Sequence, residues 1–299
     1  MQEKPDGARS VKSAERVLDL LEHIGTRSQG VTFGAIAREL SIPKSSLHAL
    51  LEVLTNRGYV ELAPETRHYS LGTRVWETGQ AYLLHHNVVR EARAVLESIV
   101  ARVNETAQLA KLAGTENVYL AKVDSSHALR LQSEVGARLS AHATGVGKAL
   151  LAQLDDAEIY ARFGRGNLPA YTRNTFSTTQ ALVEELAEIR RRGFAIDNEE
   201  YTPGVFCIAV PVYDASERAT TAVSVSVPTM RAESEGLALI LHVVAEGSLQ
   251  LSARCGARRV DPVLNRLADP AHARAAIEAL VNSSRYNLPF AADKYQAVR

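Results

Sequence analysis

The stretch from Thr32 to Gly72 constrains this chain more than any other. TFGAIARELSIPKSSLHALLEVLTNRGYVELAPETRHYSLG reads as a helix, a two-residue turn at Ser41 and Ile42, a second helix and a two-stranded ribbon. That is the pattern of a winged helix-turn-helix. Pro43 marks the start of the second helix, because proline presets φ and lacks an N–H that the first turn leaves unpaired. Leu47, Leu50, Leu51 and Leu54 then form one apolar stripe. The opposite face carries Ser45, His48, Ala49 and Glu52, flanked by Lys44 and Ser46, short or polar side chains suited to a groove. Ile36, Ala37 and Leu40 of the preceding helix complete the small core, with Thr32 as its cap. Gly58 ends the second helix; Tyr59–Leu62 and His68–Leu71 are the ribbon strands, and Ala63–Arg67 is the tip. Upstream, Ala14, Val17, Leu18 and Leu21 share the stripe of a first helix capped by Ser13. A helical hairpin used only for packing carries the same kind of stripe. The tight turn, Pro43 and the ribbon together favour DNA reading through Lys44, Ser45, Ser46, His48, Ala49, Arg67 and His68.

Charge does not make that argument. Lys and Arg number 34 against 34 Asp and Glu in a chain of 299 residues, and residues 1–75 hold ten Lys and Arg against nine Asp and Glu. DNA binding is therefore expected from pattern and from a local cluster of Lys44, Arg67 and His68, not from a basic domain. The length suits two domains, and 46% hydrophobic residues suffice for packed cores. Two cysteines, Cys207 and Cys255, cannot form a disulfide framework and suit a reducing cytoplasm. The polar segment Met1–Lys12 reads as a disordered leader rather than a secretory signal. The apolar stretch Leu237–Ala245 reads as too short to cross a bilayer and as part of a packed terminal helix, so no membrane is expected as a partner.

Beyond the wing, Thr73–Val103 keeps helical spacing and reads as a linker helix followed by the first helix of a second domain. His85 and His86 at the seam point to different faces of a helix, which argues against a metal pair; no metal and no cofactor are expected. The period then changes to strands at Ala107–Ala113, Asn117–Val123 and Leu129–Ser133. Helices follow at Gly145–Leu154, Asp155–Phe163 and Thr178–Arg192, strands at Phe194–Asn198, Cys207–Tyr213 and Thr220–Val227, and a terminal helix at Arg231–Arg254. Antiparallel strands with helices at the edges make an α+β domain. The expected division is a leader at 1–12, a mostly α winged helix-turn-helix at 13–72, a linker helix at 73–87, a sensor-like α+β domain at 88–256 and an extension at 257–299. The extension includes a helical run near Ala271–Val281; the sequence assigns it no function, and packing across a subunit boundary is favoured over catalysis.

IPKSSLHALLEVLTNRGYVE with YSLG, LSAHATGVGKALLAQL, GFAIDNEEYTPGVFCIAVPV and AVSVSVP occur in that order. On these four motifs the chain resembles the isocitrate lyase regulator (IclR) family of transcriptional regulators over roughly Val11–Cys255. The resemblance implies an N-terminal winged helix-turn-helix that reads operator DNA. It also implies a GAF-like C-terminal domain that binds a small effector and mediates assembly as a dimer or tetramer. One departure is Ala49, where the family more often has a basic residue; alanine can still touch a thymine methyl.

Glycines open a helix in His142–Lys148, so free N–H groups near Gly145 and Val146 can face an anion such as a carboxylate. The likeness to a phosphate loop is superficial, because His142 stands where the first glycine belongs and Ala149 where Ser or Thr follows the lysine. The family resemblance places Asp197, Cys207, Ser224 and Ser226 around the same cavity, with Leu139 and Val205 as apolar wall. Ser224 and Ser226 face one way on a strand, and Asp197 is expected to accept a hydrogen bond from the ligand. The effector is expected to be a small aliphatic or aromatic carboxylate that modulates operator binding through the linker helix, with activation and repression both open. The competing readings are a hydrolase or other small-molecule enzyme with Cys207 as nucleophile and His142 as base, and a DNA binder that senses nothing.

Overall fold

The computed structural model describes residues 11–85, 87–128, 134–286 and 288. The chain divides into two compact units, Met1–His86 and Asn87–Arg299.

The first unit begins with α1 (Lys12–Gly25), continues through β1 (Val31–Thr32), α2 (Phe33–Glu39) and α3 (Lys44–Asn56), and closes with the ribbon β2 (Val60–Leu62) and β3 (His68–Leu71) and with α4 (Thr73–His85). The three strands form an antiparallel sheet in the order β1-β3-β2. Thr32 caps α2, its hydroxyl accepting from the Ala35 N–H at 3.3 Å. The turn into α3 is made by Ser41 in the left-handed region, φ 52°. Leu47, Leu51 and Leu54 from α3 join Leu20, Ile24, Ile36 and Val60 in the core, while Leu50 is only partly buried. Two expectations fail in α1. Its N-cap is Val11, with no side-chain hydrogen bond, because the helix starts one residue before Ser13. Its inward stripe is Val17, Leu20, Leu21 and Ile24, which leaves Ala14 exposed and Leu18 59% exposed.

The second unit opens with α5 (Asn87–Val103) and the strands β4 (Thr106–Ala113), β5 (Glu116–Val123) and β6 (Arg138–Ser140). Three helices follow, α6 (Gly145–Leu151), α7 (Asp156–Phe163) and α8 (Thr179–Arg192), then β7 (Ala195–Asn198), β8 (Val205–Tyr213) and β9 (Ala219–Pro228). The chain then runs through α9 (Ser234–Arg254), α10 (Pro262–Leu267) and α11 (Pro270–Asn282). The strands make one antiparallel sheet in the order β6-β5-β4-β9-β8-β7. Alternation along the strands divides it: Leu109, Ile196, Ile208, Val223 and Val225 pack with α5 and α9, whereas Tyr119, Ala195, Ala209 and Ala222 pack with α6 to α8. Burying each large aliphatic of the first set contributes roughly 1.5–3 kcal/mol of transfer free energy.

The expected strand Leu129–Ser133 lies outside the described residues, as do Asn287, Pro289, Phe290 and the first ten residues of the expected leader. One further expectation, that the apolar stretch is too short to cross a bilayer, is corrected. The terminal helix has 21 residues and a mean hydropathy of 1.4 over its most apolar window, so it is long and apolar enough to cross a membrane; 61% of that window is buried against the sheet and its neighbours. In the extension, Leu264, Leu267, Ala273, Ile277, Leu280 and Leu288 complete the core of their own domain beside α9.

Candidate functional site

Cross-strand register assembles the site. Asp197 on β7 pairs with Cys207 on β8, and Cys207 with Ser226 on β9. Side chains directly opposite on one face sit about 4.5–5.5 Å apart at Cβ, so three residues spread over the sequence form one polar row. Gln108 on β4 joins it: its side-chain oxygen accepts from Ser226 Oγ at 3.0 Å and from Ser224 Oγ at 3.4 Å. This row floors a cavity of about 370 Å³ lined also by Tyr119, Thr144, Leu139, Ala137, Val205, Thr202, Tyr201 and Glu134. Half-buried Tyr201 stacks on exposed Tyr171, their ring centroids 4.5 Å apart.

Leu139, Asp197, Val205, Cys207 and Ser226 line this cavity as the sequence led us to expect, and Ser224, Gly145 and Val146 do not. Ser224 points to the same face but lies one pair further along, beside Ala209, where α6 covers the sheet. A Cβ on Gly145 would sit 3.4 Å from the Cβ atoms of Cys207 and Ala209, so the helix start packs on the floor, and Val146 is 2% exposed in the core. Thr144 supplies the polar group at that point: its hydroxyl caps the Gly147 N–H at 3.3 Å and donates to Asn117 Oδ1 at 2.7 Å. Gln108 and Tyr119 escaped sequence reading because strand pairing, not spacing, brings them in, and Thr144, the N-cap of α6, and Tyr201, in the loop between β7 and β8, because the fold and not the spacing sets them against that sheet.

The electrostatics differ from expectation at Asp197. Burial and the charge of Glu200 push its carboxyl up to about 8, so it carries its proton at neutral pH. Its Oδ1 accepts from the Glu200 N–H at 2.7 Å, and a protonated carboxyl is a hydrogen-bond donor as well as an acceptor. Behind it, the Lys148 ammonium bonds both carboxylate oxygens of Glu200, both residues almost fully buried, and lies 4.9 Å from the Phe176 ring centroid.

The hydrogen bonds and titration of Cys207 and His142 do not suit the hydrolase reading. The Cys207 thiol bonds Ser226 Oγ at 2.9 Å, and burial pushes it far above its ordinary value, the opposite of an activated nucleophile. His142 Nε2–H donates to the Pro169 carbonyl at 2.9 Å, and burial lowers its basicity. Among the described residues no cluster of side chains is suited to a metal.

In the first unit Lys44, Ser45, His48 and Ala49 are exposed on α3, and Ser46 is half-buried. His48 faces Glu52 at 4.0 Å. On the wing, Arg67 is exposed at φ 57°, and His68 bonds the Thr66 carbonyl at 2.8 Å.

Two family models match: the IclR helix-turn-helix domain over residues 13–64 and the bacterial transcriptional regulator IclR C-terminal domain over residues 80–253. The chain is 34% identical over 242 residues to the transcriptional regulator BhcR of Paracoccus denitrificans, covering 81% of this chain and 86% of that one. It is 32% identical over 246 residues to XynR of Escherichia coli, covering 82% and 98%. The crystal structure of Thermotoga maritima IclR superposes with a TM-score of 0.69 at 27% identity, covering 83% of this chain and all of that one. These relatives are regulators rather than enzymes, and they share both the helix-turn-helix and the α+β effector domain. The chain therefore belongs to the IclR family of DNA-binding transcriptional regulators.

Proposed function

We propose that the 370 Å³ cavity binds a small organic acid and that its occupancy alters operator binding by the N-terminal unit. The observation that carries the reading is a buried, neutral polar row, Asp197 as the protonated acid beside Cys207 and Ser226, set against the apolar wall of Leu139 and Val205. The Asp197 proton can meet a carboxylate oxygen, the Cys207 and Ser226 protons being held within the row, while the wall accepts an aliphatic or aromatic body. Lys44, Ser45, Ser46, His48 and Ala49 on α3 are the groove-facing residues in this reading, with Arg67 and His68 on the wing holding phosphates. Operator half-sites imply a dimer, and assembly to a tetramer through the effector domains is compatible with it. Effector and DNA are coupled through α4, so each changes the affinity of the other by the same factor.

Thermal melting of the full chain against a panel of aliphatic and aromatic carboxylates tests the ligand class. One acid is expected to raise the melting temperature in a concentration-dependent way, because it binds only the folded state. A panel in which neutral polyols stabilise and no acid does would contradict it.

A further inference from the structure

The family model ends at residue 253, and the chain continues through α10 and α11. These helices meet the effector domain at the segment that builds one wall of the cavity. α8 ends at Arg192, Gly193 turns the chain with φ 85°, Phe194 is buried, and β7 then delivers Asp197. Tyr201, four residues beyond Asp197, lines the same cavity.

Two sets of contacts hold this turn from the extension. The first is steric: Val263 Cγ1 lies 2.3 Å from where a Cβ on Gly193 would be, and Leu267 Cδ1 3.3 Å from it, so α10 sits directly on the turn. The second is a polar knot around Glu185, which is fully buried on α8. Its Oε1 accepts from Arg192 Nη2 at 2.9 Å, and its Oε2 accepts from Tyr286 Oη at 2.7 Å and from Arg285 Nε at 3.2 Å. Arg192 also bonds Tyr286 Oη, and its guanidinium lies 5.1 Å from the Phe194 ring and 5.2 Å from the Tyr286 ring. Arg192 Nε donates to the Phe194 carbonyl at 2.7 Å, so the same guanidinium grips the residue before β7 and the end of the extension. A third tie, Tyr213 Oη to Asp261 Oδ2 at 2.8 Å, fixes the start of α10 to β8.

We infer that the extension is a clamp on the cavity: Arg285 and Tyr286 are positioning residues that, through Glu185 and Arg192, fix the turn between α8 and β7 and hence the wall carrying Asp197 and Tyr201. Without the clamp, Glu185 loses two of its donors and Gly193 loses its cover, which frees the most conformationally permissive residue of the turn that leads into the wall. The cavity then opens more often without the domain unfolding, in the manner of a local opening. The assignment of this cavity to the effector rests on the proposed function; the clamp itself does not.

Cys207 reports the opening, because it lines the cavity and is 9% exposed. The experiment measures its labelling rate by methyl methanethiosulfonate in the full chain carrying Cys255→Ser, alone and with Arg285→Gln and Tyr286→Phe together. Labelling is expected to quicken roughly tenfold or more in the clamp variant. Amide exchange is expected to quicken in residues 194–202 and to stay unchanged in β9. Arg274→Gln, which breaks an exposed pair with Glu235 at 3.2 Å elsewhere on the extension, should change neither. Equal labelling rates in clamp variant and parent, with only a lower melting temperature, would overturn the inference by leaving the extension a purely stabilising addition. Labelling that quickens in the variant while no acid protects Cys207 would uphold the clamp and count against the acid reading instead.

Discussion

Replacing Lys148 with methionine is expected to destabilise the effector domain by about 3–5 kcal/mol in urea unfolding at neutral pH, because it removes one partner of a buried ion pair. Lys148 is completely buried, and Glu200 beside it is 2% exposed. Burial already raises the Glu200 carboxyl, and the Lys148 charge opposes that rise. Without the ammonium, Glu200 and Asp197 share a dry site with no cation between them, and folding requires both to be protonated. The sign of the pH dependence follows. A carboxyl whose folded value lies above its unfolded value contributes stability that is present below the unfolded value and lost as pH rises through the folded one. The variant should therefore approach the parent near about pH 5 and fall furthest behind near about pH 8. Lys148→Met with Glu200→Gln should recover most of the loss, since replacing both partners leaves no orphaned charge. A single variant as stable as the parent at the higher pH would show that the pair is not buried as described.

Effector affinity is expected to fall about tenfold per pH unit above the Asp197 value and to be flat below it, down to where the ligand's own carboxyl protonates. Asp197 is raised to about 8 by burial and by Glu200, so below that value it donates to the ligand and above it two carboxylates face each other. The Cys207 thiol and the Tyr119 phenol, both pushed up by burial, keep their protons throughout and do not contribute to the change. Asp197→Asn keeps a donor of the same shape and should flatten the profile, whereas Asp197→Ala should weaken binding at every pH. Isothermal titration across pH 6–10 separates these outcomes; a profile in the parent that stays flat to about pH 10 would mean that Asp197 does not meet the acid.

The helix-turn-helix was legible because its information is local. The leucine stripe of α3, Pro43 before it and Gly58 after it each act within one or two helical turns, and the structure differs only where local rules are weak. At α1 the helix begins at Lys12 rather than after Ser13, and Leu20 and Ile24, not Leu18, take the inward face. The candidate cavity was legible in part, because Asp197, Cys207 and Ser226 come from three strands whose pairing no spacing reveals. The helix N-terminus at Gly145 suggested an anion site from its glycines, yet those glycines serve close packing. A Cβ on Gly147 would lie 2.2 Å from the Ala141 carbonyl oxygen, and α6 is buried along its whole length. Asp197 was placed correctly as a polar wall residue, but its proton could not be read without knowing that Glu200 folds back beside it. The extension was opaque for the same reason: Val263 and Tyr286 find Gly193 and Glu185 across seventy residues and more of intervening chain.

The most direct test of the central claim is a titration of the full chain onto the DNA upstream of its own coding region, at one fixed salt concentration, with and without the acid that raises its melting temperature. The account predicts specific binding whose affinity shifts by roughly 5- to 150-fold when the acid saturates the cavity, and an equal shift in acid affinity when DNA is present. Specific binding that is identical with and without saturating acid would contradict it, for the cavity would then be occupied without any consequence for the operator.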